Sequence, residues 1–463
     1  MKLKKILFPL FAITMLFSIT SCSYVNDFIN NIGNNTNDSS NNNTTTTKQV
    51  DKKYTVIWVN DDGTELKKVE NVKSDSIPTY DLDNPTKKDD EKYQYTFNKW
   101  VETKDEEKST ITYTASYNRL SKINSEIKDW GYMHLQSFEN KAQLISLYDD
   151  MNLLCKDFYE GKSESKEVNA NGEIQYTIGE SIEYTSYNLS ADEAASVYSC
   201  IMLDHPEFYF SMGALMGSST QTITEGGIVV DTIVKNFINI STYEEYKSKE
   251  VRLNYLNKIN EYVSTVSNAV KSETDNVKKV KYIHDYIINN AKYAKKKNEQ
   301  GEYQKIVYDD KVNNIWHWEK ANSYAEASPD DSSYSHNILG IIVNKEGVCE
   351  SYSELFQLLL IKNGINCVKV TGDGITGGER EPHAWNYAEV DGAWYAFDVT
   401  WDDPVSSSGK DTITHKYFGK GSKNQDFMNS HIPATQGDMT YRADYLYTLP
   451  SLSENNINIL YLL

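Results

Sequence analysis

Two neighbouring stretches in the C-terminal third restrict the fold more than anything else in the chain. In the first, Tyr352, Leu355, Phe356, Leu359 and Leu360 recur at helical spacing, and Asn363-Gly364 ends the run. In the second, Val390-Asp391-Gly392-Ala393 carries the Asp-Gly pair of a two-residue hairpin turn. Cys349 stands in the first turn of the helix, and the hairpin carries His383 on one arm and Asp398 on the other.

Folding the chain about Asp391-Gly392 pairs Val390 with Ala393 and sets His383 opposite Thr400. Asp398 then lies two residues back on the same face, and diagonal neighbours sit about 7–8 Å apart. A one-residue bulge would turn Asp398 to the other face. At a helix start, unpaired N–H groups and the dipole favour a thiolate, and the Cys349 N–H can donate to an oxyanion. Gly347 lets the backbone approach whatever binds there. Taken alone, Cys349 reads as a small buried hydrophobe. A histidine and an aspartate on one face supply the base and the orienting group of a cysteine nucleophile.

These segments resemble the transglutaminase-like superfamily in its bacterial extracellular form. The matching residues are Gly347-Val348-Cys349-Glu350-Ser351-Tyr352, His383-Ala384-Trp385-Asn386, Asp391-Gly392, Trp394-Tyr395 and Asp398-Val399-Thr400-Trp401. Asp204-His205-Pro206-Glu207-Phe208, His284-Asp285-Tyr286-Ile287 and Tyr334 to Gly340 are similar to that family's lead-in. The resemblance covers roughly residues 190–405. It implies a papain-like α+β transglutaminase-core fold, with Cys349 as nucleophile, His383 as base and Asp398 as orienter. Ser351 stands where glycine is common, which is expected to narrow the cleft. The implied activity is that of a cysteine hydrolase or acyltransferase on peptide or carboxamide bonds through a thioester. Its substrate is a protein or peptide, cell-wall peptide included, and no cofactor or metal is called for. A non-catalytic surface adhesion or cell-wall-binding protein is the alternative.

The N-terminus gives an address. Lys2, Lys4 and Lys5 precede an apolar run from Ile6 to Ile19, broken by Pro9 and followed by Thr20-Ser21-Cys22. Ile19-Thr20-Ser21-Cys22 resembles the lipobox of bacterial lipoproteins. The resemblance implies that residues 1–21 are a signal peptide, that Cys22 carries lipid, and that the protein sits outside the cytoplasm, anchored to the cell membrane. Residues 22–52, rich in Asn, Thr and Ser, have too little apolar surface to offset the entropy of folding and read as a disordered tether.

From Tyr54 the pattern turns to strands, with Asp61-Asp62-Gly63 as a hairpin turn. Trp58, Asp62-Gly63-Thr64, Pro78-Thr79-Tyr80, Pro85-Thr86, Tyr93, Phe97, Trp100 and Tyr113-Thr114-Ala115 resemble an internalin B-type repeat. That implies a small β-grasp-like surface module over residues 53–118.

Residues 119–270 read as a helical extension. Ser190 and Glu193 form a capping box, and Val277, Val280, Ile283, Ile287 and Ala291 form an apolar stripe. Residues 271–405 make the catalytic core, with 294–330 as an insertion loop. Residues 406–463 carry no readable motif.

Other features read as structural. His205 and His284 are expected as packed or capping side chains, and the spacing gives no zinc motif. Gly372-Asp373-Gly374-Ile375-Thr376-Gly377 spells GxGxxG, but a strand rather than a helix follows, so a mobile loop beside the cleft is expected. Asp402-Asp403-Pro404 reads as a turn, and Trp316, Trp318 and Trp385 as groove or core. Cys155, Cys200 and Cys367 are expected in the core, and a Cys349–Cys367 disulfide would block the nucleophile. Lys and Arg number 47 against 66 Asp and Glu, a net charge of 47 − 66 = −19, which argues against nucleic-acid binding.

Overall fold

The computed structural model describes residues 52–73, 76–124, 128–170, 173–225, 228–310, 315–404, 412–434 and 448–459. The expected signal peptide, the lipid site Cys22 and nearly all of the tether lie outside these residues. No helix of the described residues is long and apolar enough to cross a membrane.

The first unit is a four-stranded sheet of β1 (Lys53–Val59), β2 (Glu65–Lys73), β3 (Tyr93–Asp105) and β4 (Thr110–Ser121), in the order β2-β1-β4-β3. The central pair, β1 and β4, is parallel and the outer pairs are antiparallel. Alternation in β1 buries Tyr54, Val56 and Trp58 against Val72 and Ile111.

Residues 119–270 are mixed rather than helical. They contain α1 (Trp130–Leu135), α2 (Lys141–Tyr159), α3 (Ala191–Asp204) and α4 (Lys249–Val270). They also contain β5 (Ser165–Ala170), β6 (Glu173–Ile178), β7 (Ser211–Glu225) and β8 (Ile228–Thr242), of which β7 and β8 form a long antiparallel pair. Thr, Ile and Val recur through 220–242 and favour strand, a signal that a helical reading overlooks. The capping box at Ser190 and Glu193 is formed, with each side chain bonded to the other's backbone N–H.

The core follows. α5 (Asn276–Asn289) buries Val277, Val280, Ile283 and Ile287. Next come β9 (Gln304–Asp310) and β10 (Ile315–Lys320), an antiparallel pair where an unstructured insertion was expected. Then come α6 (Cys349–Lys362), β11 (Cys367–Thr376), β12 (Glu379–Val390) and β13 (Ala393–Phe397), followed by α7 (Gln425–Ser430) and β14 (His431–Pro433). The sheet runs β13-β12-β11-β14, antiparallel throughout, and α6 packs across β11 and β12.

Helix α6 ends because Gly364 takes a left-handed φ of +78° that a side chain would strain. The turn at Asp391-Gly392 has positive φ at both residues, the condition for a tight hairpin that matches strand twist. The boundary expected at residue 405 does not hold. β14 pairs with β11 through Gly372↔Pro433, Asp373↔Ile432 and Gly374↔His431, so the strand His431–Pro433 completes the core sheet.

Candidate active site

Cys349 is the first residue of α6, after Val348 in extended conformation. Its N–H therefore has no intrahelical acceptor. A two-residue parallel pairing of Lys292–Tyr293 with Glu346–Gly347 delivers the chain to this point. Gly347 serves this packing: a Cβ there would lie 2.6 Å from both Cβ and Oγ of Ser351. The conformational role expected for Gly347 thus faces inward rather than toward a ligand. Ser351 is fully buried beneath it, so the expected narrowing of the cleft by Ser351 does not occur.

His383 lies on β12 opposite Gly372 of β11. Asn386, further along the strand, is fully buried and donates through Nδ2 to the Ser353 carbonyl at 3.0 Å, which ties β12 to α6. The β12–β13 ladder has the register set by the Asp391-Gly392 turn, without a bulge, and ends at Asn386↔Phe397. The expected pairing of His383 with Thr400 is therefore not made. The chain leaves the sheet after Phe397 and turns, and this brings Asp398 Oδ2 to 2.7 Å from His383 Nε2. Asp398 Oδ1 accepts the Trp401 N–H at 3.0 Å, a hydrogen bond that closes the turn.

With Nε2 engaged, Nδ1 is the ring nitrogen left for the Cys349 thiol. Burial pulls the His383 imidazolium down, but the Asp398 charge and hydrogen bond, followed by Cys349, outweigh it and push the ring up to about 10. Burial pushes Asp398 up, but the charge and hydrogen bond of His383, then those of His431, hold its carboxyl well below the usual range. The Asp398 carboxylate and the Cys349 side chain thus both favour the protonated form of the His383 ring.

Aromatic rings close around this pair. Trp401 stacks on His383 with centroids 5.0 Å apart at 24°, and Trp385 stacks at 5.9 Å and 27°. Trp385 is 1% exposed and belongs to the core. Gly374 makes room for this stack. A Cβ there would lie 2.9 Å from Trp401 Cζ2 and 3.1 Å from His383 Cβ. Gly372 and Gly374 are therefore strand residues under close approach, and only Gly377-Gly378, both at positive φ, form the turn. The mobile loop expected for this glycine-rich stretch is the end of the β11–β12 hairpin.

A cleft of about 1050 Å³ opens over His383. Tyr293, Lys295, Pro329, Ile375, Glu381 and Trp401 are among its walls. Trp401, rather than Trp316 or Trp318, supplies the indole. The other three described cysteines, Cys155, Cys200 and Cys367, are buried and free, and Cys349 is a free, partly exposed thiol.

Asp402 and Asp403 make the expected turn. Tyr352 donates to Asp403 Oδ2 at 2.6 Å, and Asp402 Oδ1 accepts from Thr414 Oγ1 at 2.6 Å. Asp402 Oδ2 lies 3.3 Å from Nε2 of the fully buried His284, whose Nδ1 is 2.9 Å from Asp285 Oδ1. His415 Nε2 reaches the same Asp285 oxygen at 2.8 Å. Among the described residues, two groups have donor types and spacing that a cation could use: His284, Asp285 and His415, and His383, Asp398 and His431. In both, the donors already hydrogen-bond one another. His205 packs against Phe208 and caps α3.

Sequence reasoning missed one member of the site. His431 reaches Asp398 from β14 at 2.9 Å. An isolated histidine 33 residues from its partner leaves no periodic signal, so only the folded chain brings it to notice.

Residues 302–399 match the profile of the transglutaminase-like superfamily, and the chain carries a transglutaminase-like domain there. A search of curated proteins finds no match. Among solved structures, a protein described as a TGase is 15% identical, with a TM-score of 0.23, covering 44% of this chain and 48% of its own. A Cytophaga hutchinsonii protein assigned as a cysteine protease is 12% identical, with a TM-score of 0.19, covering 41% of this chain and 65% of its own. A Parabacteroides distasonis protein assigned as a protease is 14% identical, also with a TM-score of 0.19, covering 40% and 38%. The chain spans about half the length of the first of these.

Proposed function

We propose that this chain is a surface-anchored cysteine enzyme that acts on peptide or carboxamide bonds through a thioester, with Cys349 as nucleophile, His383 as base and Asp398 as orienter. The observation that carries the reading is the 2.7 Å contact of Asp398 with His383 Nε2, on a ring that the Cys349 side chain also engages. The thiolate attacks the carbonyl carbon, and the oxyanion finds the Cys349 N–H. As the intermediate collapses, the C–N bond breaks and His383 Nδ1–H gives its proton to the departing amine or ammonia. Water then attacks the thioester, passing a proton to His383, and the acid leaves as the thiol is restored. An amine in place of water would give a cross-link. The open cleft favours water, so hydrolysis is the main outcome.

Lipid attachment at Cys22 would hold the enzyme at the outer membrane face, with protein or cell-wall peptide as substrate. The test is mass spectrometry of wall peptides and surface proteins incubated with wild type and Cys349→Ala. Chain cleavage or a gain of about 1 Da per amide, absent from the variant, is expected for hydrolysis. Identical spectra for the two proteins would overturn the proposal.

A further inference from the structure

The carboxylate of Asp398 serves two imidazoles. His431 Nε2 lies 2.9 Å from Asp398 Oδ2, the same oxygen that His383 Nε2 reaches at 2.7 Å. Both rings and the carboxylate are buried. An ionised carboxylate has only acceptors, so each histidine must donate to it. The other nitrogen of His431 is engaged as well: Nδ1 lies 2.9 Å from Ser430 Oγ and 3.3 Å from the Phe427 carbonyl oxygen.

The His431 ring is fixed on every side. It lies flat on Phe427, with centroids 3.9 Å apart at 4°, and tilts against Trp401 at 4.5 Å. The strand beneath it is pinned where Pro433 faces Gly372, a site at which a Cβ would lie 2.1 Å from the Ile432 carbonyl oxygen. So much order around one hydrogen bond restricts the carboxylate, and the carboxylate restricts His383.

We infer that His431 is a positioning residue for the reaction at Cys349. It donates Nε2–H to Asp398 Oδ2, holds that carboxylate ionised and in place, and thereby keeps His383 Nδ1 directed at the sulfur. This rests on the catalytic reading of Cys349, His383 and Asp398 given above. It makes β14 at His431–Pro433, which lies beyond the family match at 302–399, part of the working site. If His431 served only to fasten β14 to the sheet, its loss would lower stability and leave the pH dependence of the thiol alone.

The experiment measures iodoacetamide alkylation of Cys349 across pH in the full chain, with the adduct located by peptide mass spectrometry and folding followed by circular dichroism. Wild type, His431→Ala, His431→Gln and His383→Ala are compared. His431→Ala is expected to slow alkylation at neutral pH by about 10- to 100-fold and to move the acid limb to higher pH, since Asp398 then protonates more readily. The Gln amide can donate at similar reach, so His431→Gln is expected to recover most of the rate. A folded His431→Ala with the wild-type profile overturns the inference, as does a Gln variant as slow as Ala. Should His431→Ala fail to fold, nitrogen-15 NMR of the wild-type histidines decides: a protonated, hydrogen-bonded His431 Nε2 supports the inference and an unprotonated one overturns it. Failure of the catalytic reading looks different. Wild-type Cys349 would react no faster than in the denatured chain, and His383→Ala would be no slower.

Discussion

His383 Nε2 lies 2.7 Å from Asp398 Oδ2 although the ladder joining their strands stops at Asn386 and Phe397. A diagonal pair on a continuing sheet would leave the two backbones about 7–8 Å apart, each side chain reaching out to the other. Here the chain turns instead, with the Trp401 N–H on Asp398 Oδ1 holding the carboxylate end-on. Asp398→Asn keeps the shape but replaces a charge by an amide. The thiol reaction is expected to fall by about 100-fold or more at neutral pH, because a neutral partner no longer stabilises the charged ring. Alkylation kinetics at Cys349, beside an unchanged circular dichroism spectrum, make the measurement.

The same pair sets a pH dependence of stability. His383 is pushed up to about 10 from an unfolded value of about 6.5, so the folded state binds the proton more tightly. Its contribution is fully present below about 6.5 and is lost as pH rises through about 10. Urea midpoints of wild type and His383→Gln should therefore converge over that window. A gap that stays constant from about pH 6 to about pH 10 would contradict the assignment.

Glu350 adjoins the nucleophile and gives a dependence of the same sign in a lower pH window. Burial pushes its carboxyl up to about 7, partly opposed by a hydrogen bond with His336 and by the Lys369 charge. His336 Nδ1 lies 3.1 Å from Glu350 Oε2. From an unfolded value of about 4.3 up to about 7, the folded state holds more protons, so this group makes stability fall as pH rises. Above about 7 the full penalty of a buried carboxylate is present. Glu350→Gln removes it, and the variant should gain on wild type between about pH 4.5 and about pH 7 and hold that gain above. Thermal unfolding at several pH values across that window tests this.

How much of this was readable in the sequence depends on distance along the chain. Helix α6, its stop at Gly364 and the tight turn at Asp391-Gly392 are local, set by periodicity and by residues that tolerate positive φ. The β7–β8 pair carried a signal too, but alternation in a polar, threonine-rich segment was outweighed by the helices on either side. Nothing local marks His431 or the docking of β14, because their partners lie far away in sequence. Gly374 is an intermediate case. A glycine in a strand announces a close approach, but only the fold shows that the approaching groups are His383 and Trp401.

That approach separates two neighbouring glycines. In Gly374→Ala the new methyl would meet Trp401 Cζ2 at 2.9 Å and His383 Cβ at 3.1 Å, so the base must shift. A displacement of this kind is expected to cost about 100-fold in thiol reactivity, with a smaller loss of stability. A methyl added at Gly377 would have nothing within 4 Å, but the backbone there has φ +63°. Gly377→Ala should therefore cost about 1–2 kcal/mol of stability and leave reactivity near wild type. Equal effects of the two changes on reactivity would count against the packing account.

Gly347 and Ser351 give a test that does not depend on catalysis. A Cβ at residue 347 would sit 2.6 Å from both Cβ and Oγ of Ser351, with Ile341 Cγ1 at 3.0 Å. Gly347→Ala alone should force the first turn of α6 outward and cost stability by overpacking, typically about 1–3 kcal/mol. Ser351→Gly removes both clashing atoms, at a cost of roughly 0.5–1 kcal/mol for a glycine inside a helix. Residues in contact are not additive, so the double variant should be more stable than the sum of the two losses predicts. A coupling of at least about 0.5 kcal/mol from urea unfolding of the four proteins is expected. Strict additivity would mean that the close packing of these two residues does not hold the start of the Cys349 helix in place.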